Sequence, residues 1–469
     1  MKTNTYLGLS PRVIRAKIKA ITEEAKKNDI RFFRYQFSDL AGNLREVTLT
    51  RENISGLGAT SVDGSSVFGK MIPPTESDMM LMPDVSTYAV VPWHRHTARW
   101  FCNVFYPPVF DGAMMKPFEG CSRSMLYRTI KATEKLVGDY LKQTKPGLLY
   151  DKVQVYFAPE LEFILVPESY DYKNIHRDSS LANKNYFVPL NEKVDLIMKD
   201  VLTYLEKMGF AKEKFHTEVS TFQCEIGLAY DHALKMADAA ITTKYIIEHV
   251  AETYGWRASF IPKFKNKVNG NGMHVHQSLG VTTGDKQTNL FFDAKNLENN
   301  CLSSLGQWYI AGLLKHAREI TALTNPTPIS YKRLVPGAEA PTYVCWDWSN
   351  RTTLCRGHSP NTKKIRVEYR APDPSCNPYL AFTAMLLAGS EGIAHRYELP
   401  PPDPRNLYTD NDNVERLPGD FGEALELMKA SPLLAKKLGS IINELYKLGF
   451  HEWRNYSSKI TDIDLERYF

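Results

Sequence analysis

Apolar positions recur along the chain in two different periods. In SPRVIRAKIKAITEEAKKND, residues 10–29, Ile14, Ile18, Ile21 and Ala25 fall at helical spacing on one face. Ser10 is placed to cap that helix, and Pro11 takes the first helical position, where its missing N–H costs nothing. The period then shortens. IRFFRYQFSDLAGNLREVTLT reads as two strands joined by an Ala-Gly-Asn turn, and TYAVVPW and TARWFCNVFYPP add aromatic and β-branched runs.

The Pro- and Gly-bearing stretch YPPVFDGAMMKPFEG, residues 106–120, reads as a linker. Beyond it SMLYRTIKATEKLVGDYLKQ and DHALKMADAAITTKYIIEHVAETYG are helical and alternate with short strands. Asn377 and Pro378 open a further helix in NPYLAFTAMLLAGSEGIAHR. The pattern predicts an α+β chain, with a small domain over residues 1–116 and a larger one over 117–469.

Composition narrows the function classes. With 469 residues, 43% of them hydrophobic, the chain can bury a large core. A net charge of +5 without a dense Lys/Arg run gives no sign of a nucleic-acid partner. Seven cysteines without CxxC spacing read as reduced thiols. No apolar run reaches membrane-spanning length and the N-terminus is not a signal peptide, so a cytoplasmic protein is expected.

Acidic residues then stand where strands should be apolar. VYFAPELEFILV carries Glu160 and Glu162 two apart, hence on one face of a strand. Side by side they repel and lose hydration, which calls for cationic compensation; an edge strand with Lys or Arg partners is the plainer alternative. In RVEYRAPDP, Arg366, Glu368 and Arg370 share a face, either in a site or in a self-neutralising surface ladder. TEVSTFQCEI adds Glu218 and Glu225, seven apart, which converge only if the chain turns near Thr221–Phe222. In NGNGMHVHQSL, His274 and His276 share a face while Gly270 and Gly272 permit close backbone approach. Five glutamates, one or two histidines and no nearby cysteine make a hard-cation set, favouring Mg²⁺ or Mn²⁺ over zinc. A basic group, Arg333, Arg351, Arg356, Lys363 and Arg370 with Glu339 among them, suits carboxylate and phosphate. Metals with arginines are the equipment of phosphoryl transfer. GSSVFGKM, residues 64–71, imitates a P-loop, but Met71 stands where Ser or Thr must be and two prolines follow.

FAPELEF, TEVSTFQCEI, NGNGMHVHQSL, NPTPISYKRLVPGAEAP, SNRTTLCR and RVEYRAPDPSCNPYLAF occur in an order and spacing that resemble the glutamine synthetase family, bacterial/archaeal type I. DGSS followed by TESDMMLMPD matches its small domain. The resemblance implies a β-grasp N-terminal domain and a catalytic domain with a curved antiparallel sheet flanked by helices. It also implies dodecamers of two hexameric rings, with active sites between subunits, and the substrates ATP, L-glutamate and ammonium. By motif position, Glu162, Glu218 and Glu225 would hold one Mg²⁺ or Mn²⁺ near glutamate and ammonium, and Glu160, His274 and Glu368 a second on the nucleotide phosphates. His276 matches the phosphate-contacting histidine; Ser278, Tyr230 and Lys363 match the nucleoside site, with Tyr230 stacking on adenine. Asn269, Gly270 and Arg333 match the glutamate site, and Arg351, Arg356 and Arg370 the grip on the transferring phosphoryl group. Asp63, Ser66, Tyr186, Glu218 and Glu339 match the ammonium pocket, with Asp63 the base, supplied by the adjacent subunit, and Glu339 on a flap.

The implied reaction is ATP-dependent formation of glutamine through γ-glutamyl phosphate. Two alternatives stand beside it: ligation of glutamate to a polyamine or other organic amine, and a non-catalytic assembly or regulatory homologue. Retention of Asp63, Tyr186, Glu339 and all six metal-ligand positions weighs against both. The chain departs from the family at Phe222, usually Gly, and at CRGHSP, usually more apolar. VFGKMIPP is one residue longer than its counterpart and lacks the arginine some relatives use for feedback by glutamine. Tyr408 stands where some bacterial members are adenylylated, though Thr409 and the altered flanks favour an ordinary loop tyrosine.

Overall fold

The computed structural model describes residues 7–108, 115–172, 175, 182–461 and 464. The first helix, Pro11–Lys27, begins where Ser10 and Pro11 predict, with Ser10 Oγ accepting from the Val13 amide. Ile14, Ile18 and Ala25 are buried, while Ile21 lies half out at the margin of the stripe. Beneath it is a six-stranded sheet. Phe32–Ser38 runs antiparallel to Leu44–Thr50 and parallel to Thr97–Phe105, the arrangement of a β-grasp. Thr97–Phe105 is buried along its whole length, so its two faces serve two layers: Trp100 packs on Phe33 and Tyr35, while Arg99 reaches Thr242 of the larger domain. Part of the linker read at 106–120 lies outside the described residues.

The larger domain is built on a curled ten-stranded sheet. Its spine is Lys152–Pro167, with Val275–Thr283 on one side and Gln223–Leu228 on the other. Arg366–Tyr369 and Cys355–His358 extend the sheet beyond Val275–Thr283. The pairs are antiparallel except for Trp346–Trp348 against Cys355–His358. Helices Ser122–Thr144, Ala233–Thr253 and Pro378–His395 cover one face of the sheet; the last is apolar nearly all round and correspondingly buried. Asn377 caps that helix and donates to the carbonyls of Asp39 and Leu40, docking the N-terminal hairpin on the larger domain. All seven cysteines are buried and free. Among the described residues no helix is long and apolar enough to cross a membrane. The P-loop imitation folds as the short helix Ser65–Phe68 and a tight turn at Gly69–Met71, not as a phosphate loop leading into a helix.

Candidate active site

The uncovered face of the large sheet encloses a cavity of about 1010 Å³. Glu160 and Glu162 stand on its floor. Their strand is central rather than an edge, because the sheet needs both of its neighbours; register sets Glu162 opposite Glu225. The chain does turn between Glu218 and Glu225: strand Lys212–Thr217 ends, the Glu218 amide donates to the Gln223 carbonyl, and Phe222 takes φ +66°. Phe222 therefore occupies the left-handed conformation that favours glycine. That reversal brings two carboxylates of odd separation to one pocket.

The acids form two groups. Glu218 and Glu225 lie with His216, and Glu160 and Glu368 with His274; in each group the ligand atoms lie within 4.8 Å of one another. Glu162 stands between the groups, its Oε2 accepting from the Gly272 amide at 2.8 Å and Gln223 Nε2 at 3.1 Å. Burial works against charge on Glu160, but His274 and then His276 outweigh it and hold its carboxyl well below the usual range. Against the same cost, Arg370 and then His358 hold Glu368 low. The other group is under-compensated. Burial pushes Glu218 up to about 9, with Glu162 and Glu225 adding repulsion. Burial likewise raises Glu162, against the pull of His274 and with a push from Glu225.

These donors fit divalent cations. Glu225 Oε1 is buried without a hydrogen-bond partner, although Lys214 Nζ stands 3.6 Å and His216 Nε2 3.3 Å away. Oxygen-rich groups whose charges raise one another suit a hard cation, which would remove the repulsion. Mn²⁺ or Mg²⁺ is accordingly expected to raise the unfolding temperature and EDTA to reverse the gain. At a hundredfold excess over Kd, each cation stabilises by about 2.7 kcal/mol. An unfolding curve indifferent to both ions removes the metal assignment.

The basic group surrounds the same space. Arg333 is buried, with Nη1 donating to Ala371 O at 2.6 Å and Nη2 to Arg370 O at 3.2 Å. The room left by Gly270 and Gly272 is filled by this side chain: a Cβ on Gly272 would lie 2.7 Å from Arg333 Nη2, and one on Gly270 would strike Pro262 O. The Nε atoms of Arg356 and Arg370 are buried without partners, leaving spare donors beside Glu368. Arg351 lies over the Tyr186 ring at 5.7 Å. Asn269 Nδ2 donates to Glu339 Oε2 at 2.6 Å, and Glu339 itself holds φ +53°. Tyr230 is largely exposed at the mouth, near Ser278 and Lys363.

Thus Glu160, Glu162, Glu218, Glu225, His274, His276, Ser278, Glu368, Asn269, Gly270, Tyr186, Tyr230, Arg333, Glu339, Arg351, Arg356, Lys363 and Arg370 all line one cavity. Asp63 and Ser66 do not; they sit in the N-terminal domain, where Asp63 accepts from Ser65 Oγ and Ser66 Oγ at 2.7 Å each. Tyr408 lies outside the wall, its hydroxyl 3.5 Å from the Arg351 carbonyl it faces. The sequence reading missed His216, Lys214, Gln223 and His358. His216 and His358 had a signal, standing two residues from Glu218 and Arg356 in the chain.

Family models match both parts of the chain. Residues 29–107 match the glutamine synthetase β-grasp domain and residues 139–468 the glutamine synthetase catalytic domain. The glutamine synthetase of Thermotoga maritima is 39% identical, over 96% of this chain and 98% of its own length. That of Methanocaldococcus jannaschii is 36% identical, over 96% and 98%. Among solved structures, an ADP complex of GmaS, a γ-glutamylmethylamide synthetase, superposes with a TM-score of 0.80 at 25% identity, covering 95% of this chain and 98% of that one. The chain belongs to the glutamine synthetase family.

Proposed function

We propose that the protein is a glutamate–ammonia ligase, making L-glutamine, ADP and phosphate from ATP, L-glutamate and ammonium. The observation that carries this is one cavity holding both carboxylate–histidine groups and the four arginines Arg333, Arg351, Arg356 and Arg370. A carboxylate is a poor electrophile, so its γ-oxygen first takes the γ-phosphoryl group of ATP, releasing ADP. Ammonia then attacks the acyl carbon of γ-glutamyl phosphate and phosphate leaves.

In this reading Asn269, Gly270 and Arg333 hold glutamate. Tyr230, Ser278 and Lys363 hold the nucleoside at the mouth, and His276 meets the phosphates. Arg351, Arg356 and Arg370 neutralise charge on the transferring group, for which the unpartnered Nε atoms of Arg356 and Arg370 supply donors already in place. Bound at Glu162–Glu218–Glu225 and at Glu160–His274–Glu368, two Mg²⁺ or Mn²⁺ ions would add to that neutralisation. The bond from Asn269 to Glu339 supports a flap that would hold Glu339 over the acyl phosphate and keep water away. Asp63 and Ser66 stand apart from their own chain's cavity, which supports a site completed by the adjacent subunit of a ring. Ser65 and then Ser66 hold the Asp63 carboxyl low, so it is charged when ammonium arrives.

A second reading has its own support. The likeness to GmaS spans nearly the whole chain, so methylamine or another small organic amine is the competing acceptor. Tyr186, Glu218 and Glu339 in the cavity wall favour the small cation. The assay is ATP cleavage with glutamate and a panel of amines. Ammonium is expected to give the highest kcat/KM by at least tenfold, about 1.4 kcal/mol; turnover only with an organic amine overturns the ammonia reading.

A further inference from the structure

The departure CRGHSP puts an additional imidazole into the site. His358 stands two residues from Arg356 on strand Cys355–His358, so both face the cavity, and Arg356 pairs with Glu368 in the sheet. His358 Nε2 lies 2.6 Å from Glu368 Oε2. The other oxygen, Oε1, accepts from Arg370 and faces His274 Nδ1 at 3.5 Å. Each oxygen of Glu368 therefore has its own surroundings: Oε1 turns to His274 and Arg370, and Oε2 to His358, with Arg356 Nη1 at 3.4 Å.

At such a separation two bare lone pairs repel, so the contact carries a proton and His358 Nε2–H donates. His276, whose ring meets that of His358 edge-on at 4.9 Å, is committed elsewhere. Its Nδ1 accepts from Arg366 Nε at 3.3 Å, because arginine has no acceptor to offer. Its Nε2 then bears hydrogen and points to Glu160 Oε1 at 3.4 Å. His276, His358 and Glu368 lie close enough to hold a cation of their own, but with both Nε2 atoms donating only an Nδ1 lone pair could ligate it, and that of His276 already accepts from Arg366.

We infer that His358 is a positioning residue: it pins Glu368 through Oε2 so that Oε1 is the oxygen presented to the nucleotide-side cation, and it thereby sets the affinity of that position. The inference rests on the reading that Glu160, His274 and Glu368 hold this ion. Hydrogen-bond partners of metal-bound carboxylates characteristically contribute about 10–100-fold in metal affinity.

Mn²⁺ binding to the full-length, nucleotide-free protein, followed by the electron paramagnetic resonance of free Mn²⁺, tests it. The unsubstituted protein is expected to show two binding classes per chain, one of them lost in Glu368→Ala. If it binds no Mn²⁺, or Glu368→Ala binds like it, the metal reading itself fails. Otherwise His358→Ala weakens the class lost in Glu368→Ala by about 10–100-fold and spares the other. His358→Gln, whose amide keeps an N–H, recovers to within several-fold, and the KM for ATP rises in His358→Ala more than kcat falls. Unchanged Mn²⁺ affinity in His358→Ala overturns the inference, as does His358→Gln behaving like His358→Ala. So does a third Mn²⁺ per chain that His358→Ala removes, which would make His358 a ligand.

Discussion

Replacing Glu162 with alanine is expected to lower kcat by at least about 10³-fold, the scale on which a charge-stabilising group at a phosphoryl-transfer centre acts. Its position explains why no neighbour substitutes for it. The carboxylate lies between the two acidic groups, paired in register with Glu225 and 3.9 Å from His274 Nε2. Its Oε2 is held by the Gly272 amide and Gln223 Nε2, so Oε1 is the oxygen free to bind. Alanine removes that oxygen and leaves the buried Gly272 amide without its acceptor, although Gln223 Nε2 keeps Gly270 O and Asn271 Oδ1.

Glu162→Gln separates charge from shape. The amide oxygen still accepts from Gly272, so the fold is retained, but the negative charge is gone. Without metal this variant is expected to unfold at a higher temperature than the parent, because burial and Glu225 raise the Glu162 carboxyl and its charge is costly at neutral pH. With Mn²⁺ the order reverses, since the parent gains the cation and the variant binds it weakly. Turnover near the parent's in either variant refutes the role assigned to Glu162.

Much of this site is legible along the chain because strands alternate. Glu160 with Glu162, and His274 with His276, declare a shared face by their spacing alone. Parity also shows that Glu218 and Glu225 need a turn between them, and the reversal at Phe222 supplies it. Legibility fails where register, not spacing, brings residues together. Nothing in CRGHSP says that His358 will meet Glu368, because that contact depends on how two strands align. Gly270 and Gly272 announce a close approach, but nothing in the chain around them says that Arg333 is the side chain packed against both. The N-terminal helix and hairpin followed from periodicity and capping, but the bonds between the two domains came from isolated polar residues with no pattern around them.

Arg123 is the clearest of these. It sits near the start of helix Ser122–Thr144, fully enclosed, with no sequence signal in CSRSM. Its Nε and Nη2 grip both oxygens of Asp238 at 2.8 Å, Nη2 also reaches Asp84 Oδ2 at 2.8 Å, and Nη1 donates to Asn103 Oδ1 at 3.1 Å. Asp84 and Asn103 belong to the N-terminal domain and Asp238 to helix Ala233–Thr253, so one guanidinium joins the two units. Arg123→Met keeps the volume and strands two buried carboxylates, a loss of about 3–5 kcal/mol. That is a large share of the roughly 5–15 kcal/mol by which domains are stable, so the midpoint of urea unfolding should fall steeply. The sign of its pH dependence follows from Asp84. Burial works to raise that carboxyl, but Arg123 and Ser86 outweigh it and hold it below its ordinary 3.8. In the parent this contributes stability above pH 3.8 that is lost as pH falls through the lower folded value. In Arg123→Met burial acts with only Ser86 against it, the carboxyl rises, and its charge becomes a cost that protonation relieves. The deficit should therefore be greatest at neutral pH and shrink toward pH 4, and adding Asp84→Asn and Asp238→Asn should recover most of it. A deficit independent of pH and of those two substitutions would show that Arg123 acts through packing rather than charge.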